Sequence, residues 1–298
     1  MVMTPDLKNL QYKEIHGVKY FELTAEEVMQ EILPGVIIKA WGYNGSTPGP
    51  IIQVYQGDYV NIRVYNNLPE PTSVHWHGLQ VPNVMDGVPD AQPSPRIDPG
   101  YYLDYQFRII DPPGTHMYHT HFNSHKQQMM GLEGGLVILN PNRADINKDF
   151  YYMLQEFMVE DMPEEKVQPG IYKINPMAHD FNFFTMNGKC FPFTTSIEAD
   201  YGDVIRVRFA NAMMDAHPMH LHGHQFMIKA SDGNELPYCI KKNTIDVASG
   251  ETWDIEFAAT NPGIWPLHCH IPHHMTNNMT VPSGGMFTTV SIKNDTIQ

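Results

Sequence analysis

The stretch YGDVIRVRFAN, residues 201–211, decides the fold, because a close relative of it, QGDYVNIRVYNN, already stands at residues 56–67. Both alternate apolar and polar side chains with a period of two, as a half-buried strand does. The neighbouring motifs repeat in the same order. HWHG (75–78) returns as HLHG (220–223), PGYYLDYQF (99–107) as SGETWDIEF (249–257), and PPGTHMYHTH (112–121) as NPGIWPLHCH (261–270). The offsets are 145, 150 and 149 residues. Such constant spacing implies two copies of one β-domain, residues 36–145 and 146–298. Residues 1–35 are expected to form an N-terminal extension outside the repeat, and NPNRADINKDF (140–150) a linker. Short strand-like runs broken by Gly, Pro and Asn predict an all-β chain of two tandem Greek-key sandwiches or barrels. One helix is expected at TAEEVMQEIL (24–33). There Thr24 and Glu27 fit a capping box, and Pro34–Gly35 would end the helix.

Composition narrows the function. The 298 residues carry a formal charge of −14, which disfavours non-specific nucleic-acid binding and anionic membrane surfaces. No apolar run is long enough for a membrane-spanning helix. The opening MVMTPDLKNLQYKEIHGVKY lacks the apolar core of an export leader. Either the protein stays inside the cell or a leader has been removed. Three cysteines make no disulfide framework. Cys190 and Cys239 are expected either to pair or to be two buried thiols, leaving Cys269 alone.

Histidine stands out. Of 16, all but His16 and His179 fall in four clusters, at 75–77, 116–125, 217–224 and 268–274. On a strand, residues i and i+2 face the same side. The pairs His75/His77, His119/His121, His220/His222 and His268/His270 therefore aim eight imidazoles in four parallel couples. Eight ligands exceed what one zinc takes and suit a multi-metal cluster where the two domain types meet. Cys269 lies between His268 and His270, so its side chain points to the opposite face and would bind a different metal. His217, His274 and Met279 are available partners. Two imidazoles, a thiolate and a weak thioether make a blue-copper set.

HWHG, YHTH, HPMHLHGH and HCHIPHHMTNNM together resemble the four copper motifs of the multicopper oxidases, and with two domains the chain is most similar to the two-domain, or small, laccases. The resemblance covers residues 36 to 292. It implies cupredoxin-like domains and four coppers per chain. The type 1 copper would be held by His217, Cys269, His274 and Met279, and the type 2 copper by His75 and His220. His77, His119, His121, His222, His268 and His270 would hold the type 3 pair. It further implies a homotrimer with clusters between subunits, a small-molecule electron donor with dioxygen as acceptor, and a working place outside the cytosol. Asp86, in VMDGVPD, resembles the acid near the type 2 copper, where it would deliver protons; otherwise it is a turn residue before Gly87. Trp76 and Trp265 are expected to pack around the coppers.

In the first repeat, Thr72, Thr120, His125 and Met130 fall opposite His217, Cys269, His274 and Met279. Without a thiolate no blue copper is expected there. His125 and Met130 either pack or, with His116, Met117 and Met129, bind or oxidise Cu(I), which thioethers favour. Copper nitrite reductases, which carry a cysteine where this chain has Thr120, are disfavoured. The expected activity is oxidation of phenols or aromatic amines coupled to reduction of dioxygen to water. A cuprous or other metal-ion oxidase is the alternative, and a non-enzymatic electron carrier the third reading.

Overall fold

The structure, a computed structural model, describes residues 1–143 and 145–293. The first part of the chain forms β1 (Tyr12–Ile15), β2 (Val18–Leu33), β3 (Val36–Tyr43), β4 (Gly49–Tyr55), β5 (Tyr59–Asn66), β6 (His75–His77), β7 (Tyr102–Arg108), β8 (Gly114–His119) and β9 (Glu133–Leu139). The second part begins with β10 (Lys148–Phe157), β11 (Gly170–Lys173), β12 (Phe183–Met186), β13 (Ile197–Asp200), β14 (Val204–Asn211) and β15 (His217–Leu221). It ends with β16 (Phe226–Ser231), β17 (Asn234–Lys242), β18 (Thr244–Val247), β19 (Thr252–Ala258), β20 (Gly263–Cys269) and β21 (Phe287–Lys293).

Each domain is a two-sheet sandwich, and the two share one topology. In the first, β2 runs parallel to β5, which pairs antiparallel with β7. In the second, β10 runs parallel to β14, which pairs antiparallel with β19. The facing sheets also correspond: β4 is parallel to β9, then β8 and β6 follow antiparallel, as β13 is parallel to β21, with β20 and β15 following. The expected all-β fold of two cupredoxin-like domains is what the chain adopts.

Two expectations fail at β2. Residues 24–33 are strand, not helix. Buried Phe21, Leu23 and Ala25 set a period of two, and the backbone pairs with β5 along Val18–Ala25 and with β3 along Ala25–Leu33. Ladder bonds and burial outweigh the helix-favouring Glu, Gln and Met. Nor do residues 18–33 stand outside the repeat, since β2 is the structural counterpart of β10. The expected linker likewise runs into β10 at Lys148. Moreover β11, from the second half, adds a strand to the first domain's sheet beside β3.

The 16-residue β2 serves both interiors. Phe21, Leu23 and Ala25 join the core around Trp76, Tyr105, Phe107 and Tyr118. Val28, Ile32 and Leu33 join the core around Phe183, Phe209, Ile255 and Val290. Between the domains, buried Arg208 is held by Asp149 and Asp254 and donates to Thr115 Oγ1 at 2.7 Å. Trp76 accordingly packs in the first core, whereas Trp265 lies half-buried over Gly223.

Candidate metal centres

Residue parity on two adjacent strands separates two sites. On β15, His217, Met219 and Leu221 point inward and are buried, while His220 faces the other way. On β20, Cys269 faces inward and pairs with Met219, while His268 pairs with His220. A 3-10 turn, Pro272–Met275, then swings His274 back over the thiol, stacked on Phe184.

The inner site is the trio His217, Cys269 and His274, each at most 1% exposed. His217 Nδ1 and His274 Nδ1 lie 3.2 Å apart, and Cys269 Sγ is 3.4 Å from His274 Nδ1 and 4.0 Å from His217 Nδ1. Bonds of roughly 2.0–2.3 Å from one central ion leave ligand atoms at about these separations. Glu156 Oε2 accepts the proton of His217 Nε2 at 3.0 Å, which leaves the Nδ1 lone pair aimed at the thiol. Burial holds His274 neutral, lowering its pKa to about 3, and pushes the Cys269 thiol up to about 12. A bound cation is what would draw that thiol proton off at neutral pH. The set suits copper: two imidazoles and a sulfur in trigonal array.

Met279 does not join the trio. It is 57% exposed and lies against Glu165–Gln168. The spacing argument missed Met286, which is fully buried. Its carbonyl accepts from Cys269 N at 3.0 Å, and its amide donates to His274 O at 2.9 Å. Gly285 lets the loop return so tightly: its φ is +59°, and a Cβ there would meet His274 O at 2.2 Å. The first domain contains the same hydrogen bonds, from Thr120 N to Leu132 O and from Leu132 N to Gln127 O. Met286 thus occupies the place of Leu132, and His274 that of Gln127. His125, expected opposite His274, is instead exposed.

The outer faces carry two matching quartets. In the first domain His75 pairs with His119 across β6 and β8, and His77 Nδ1 lies 3.1 Å from His119 Nε2. In the second His220 pairs with His268, and His222 Nε2 lies 3.0 Å from His268 Nε2. His121 and His270 stack on His119 and His268 with centroids 6.3 and 5.8 Å apart. Four Nδ1 atoms donate to main-chain carbonyls: His75 to Asp86, His119 to Thr120, His220 to Asn243 and His268 to Cys269, all at 2.8–2.9 Å. That fixes each tautomer and leaves Nε2 free as ligand. Burial lowers the pKa of His119 to about 3 and also lowers those of His77, His222 and His268, so these rings are neutral and ligand-ready. Asp86 sits beside the first quartet, its Oδ1 3.3 Å from His75 Nδ1 and its Oδ2 held by Gln92. Ring contacts run within each quartet, and among the described residues none joins one quartet to the other.

The remaining expectations divide. Cys190 and Cys239 are both free, and Cys239 is exposed rather than buried. His116 and Met117 are buried away from His125, with His116 against Gly78 and Gly233. No helix of the described residues is long and apolar enough to cross a membrane.

Comparison with known proteins agrees with this geometry. The multicopper oxidase family description matches residues 25–143 and again 164–283. The chain is 29% identical over 290 residues to a probable nitrite reductase-hydroxylamine oxidoreductase fusion protein of Kuenenia stuttgartiensis, covering 92% of this chain and 32% of the relative. It is 28% identical over 263 residues to the multicopper oxidase MmcO of Mycobacterium tuberculosis, covering 79% of this chain and 51% of that one. The chain thus spans about half or less of these curated relatives. Against the crystal structure of a blue copper oxidase from Nitrosomonas europaea the TM-score is 0.80 at 32% identity, covering 92% of this chain and 85% of the other. With two family matches spanning most of its length and a solved relative matched nearly end to end, the chain belongs to the multicopper oxidase family.

Proposed function

We propose that this oxidoreductase is laccase-like: it oxidises phenols or aromatic amines one electron at a time and reduces dioxygen to water. The observation that carries the reading is the position of Cys269. Its sulfur lies in the buried trio, while its chain neighbours His268 and His270 belong to the outer quartet. In this reading His217, Cys269, His274 and Met286 hold a type 1 copper, with Met286 replacing the expected Met279. His75 and His220 hold the type 2 copper. His77, His119, His121, His222, His268 and His270 hold the type 3 pair. Bound copper supplies the one-electron couple and the dioxygen-binding cluster.

The protein's own part is positional. Glu156 keeps the His217 ring turned so that Nδ1 faces the sulfur. The carbonyls at Asp86, Thr120, Asn243 and Cys269 hold four imidazoles in ligand tautomers. Asp86 places a carboxyl group beside His75, where it would serve proton delivery in this reading, and Gln92 fixes its second oxygen. In this reading the chain is a homotrimer in which one copy's first domain faces the next copy's second domain, which would bring a first-domain and a second-domain quartet together. Work outside the cytosol belongs to the same reading.

The deciding experiment is copper content, visible spectrum and sedimentation mass of the copper-loaded protein, with oxygen uptake on a phenol. About four coppers per chain, an intense blue band, a trimer mass and phenol-dependent uptake support the proposal. One copper with the blue band and no uptake would leave an electron carrier.

A further inference from the structure

The register of the first domain's outer sheet sets two lysines side by side. Lys173 on β11 pairs directly with Lys39 on β3. On the other side of β3, β2 places Met29 opposite Lys39 and Glu27 opposite Trp41. Paired residues share a face, and so do residues two apart on one strand, so these five side chains stand on one side of the sheet. Two ammonium groups directly opposite each other repel, and the arrangement is destabilising until an anion lies between them. Among the described residues neither Lys39 nor Lys173 has a carboxylate within ion-pair distance, whereas Lys19, Lys126, Lys148, Lys229 and Lys293 each have one.

The pair stands at the rim of a recess of about 490 Å³, a size that suits a small organic molecule. The interior of the recess is apolar. Val28, Ala40, Trp41 and Ile174 line it and are buried, and Met130 lines it half-buried. Lys126 lies over the Trp41 ring at 4.7 Å, but its charge is already taken by Glu70 at 2.6 Å. Glu27 is the one acid of the lining. Two ammonium groups against one carboxylate leave the recess positive, in a chain whose formal charge is −14.

These features select a ligand class. A small inorganic anion would meet only solvent-facing ammonium groups, and exposed ion pairs contribute little by themselves. A neutral ring would fill the apolar interior and leave the lysine pair unrelieved. One ring with one carboxylate answers both halves. Its oxygens accept charge-assisted hydrogen bonds from the two ammonium groups, and its ring covers Val28, Trp41 and Met130. We infer that this recess binds a one-ring aromatic carboxylate, held between Lys39 and Lys173. None of the metal-ligand residues lines it, so the site is separate from both metal centres and independent of the oxidase reading. Because β11 comes from the second half of the chain, the bound carboxylate would also bridge a first-domain strand to a second-half one.

The test is calorimetric titration of the full chain with benzoate, with the indole N–H signal of Trp41 followed by NMR. The expected result is one benzoate per chain and a shifted Trp41 signal, while acetate and benzylammonium give neither at the same concentration. Lys39→Gln/Lys173→Gln should weaken benzoate binding about tenfold or more. Glu27→Gln should strengthen it, because a repelling carboxylate is gone. Urea unfolding checks the fold of both variants, and the lysine double variant should be no less stable than the parent. No benzoate binding to the parent chain would overturn the inference. So would benzoate binding that the double variant leaves unchanged, binding that leaves the Trp41 signal in place, or acetate binding as tight as benzoate binding. Weaker benzoate binding in Glu27→Gln would overturn the assignment of the carboxylate end to this rim.

Discussion

The two domains hold the same four positions and fill them in opposite ways. In the second, the Nδ1 atoms of His217 and His274 converge on the Cys269 sulfur, with Met286 buried beside them. In the first, Thr72, Thr120, Gln127 and Leu132 close the space themselves. Both hydroxyls donate to Gln127 Oε1, at 2.8 and 2.7 Å, and Gln127 Nε2 donates to Glu70 Oε1 and Pro71 O. Buried polar groups are normally paired within the protein. At these four positions the first domain obeys that rule, and the second leaves its converging ligand atoms for a cation to partner.

This contrast can be broken at its strongest point first. Cys269→Ser should abolish the blue band and lower turnover at least about a thousandfold, near 4 kcal/mol in barrier terms, whereas Thr120→Ser should change neither spectrum nor turnover. A blue band surviving in Cys269→Ser would end the assignment of the second domain. Next, Gln127→Ala leaves two buried hydroxyls and the Glu70 carboxylate short of partners and should cost about 2 kcal/mol of stability. Denaturant unfolding reads this directly, and a neutral result would mean that the first domain's network is ornamental. The finest contrast lies within one loop. Met286→Leu should move the energy and intensity of the blue band, since the weak axial donor tunes such a centre. Met279→Leu, at an exposed position, should leave the band where it is. The opposite pattern would restore Met279 as ligand.

What the sequence disclosed, it disclosed through repetition. Period-two runs and recurring histidine motifs identified two β-sandwiches, the trio and both quartets, because alternation along a strand maps directly onto faces. It failed where the signal was tertiary. Glu26, Glu27, Gln30 and Glu31 look helical, yet pairing with β3 imposes a strand on their segment. Met279 has the better spacing to His274, but the chain runs on through a longer loop before Gly285 turns it back. Glu156, in YYMLQEF, carries no sequence mark of its place beside His217, since that contact bridges residues 61 apart.

The parity of β20 has a further consequence, for tolerance to insertion and deletion. Slipping this strand by one residue against β15 and β21 would exchange its two faces. The thiol would then open toward the surface quartet, and an imidazole would be driven into the apolar interior. Substitutions can be sampled one at a time along Leu267–His270, but a change in length cannot, so this segment should be among the least elastic stretches of the chain during divergence.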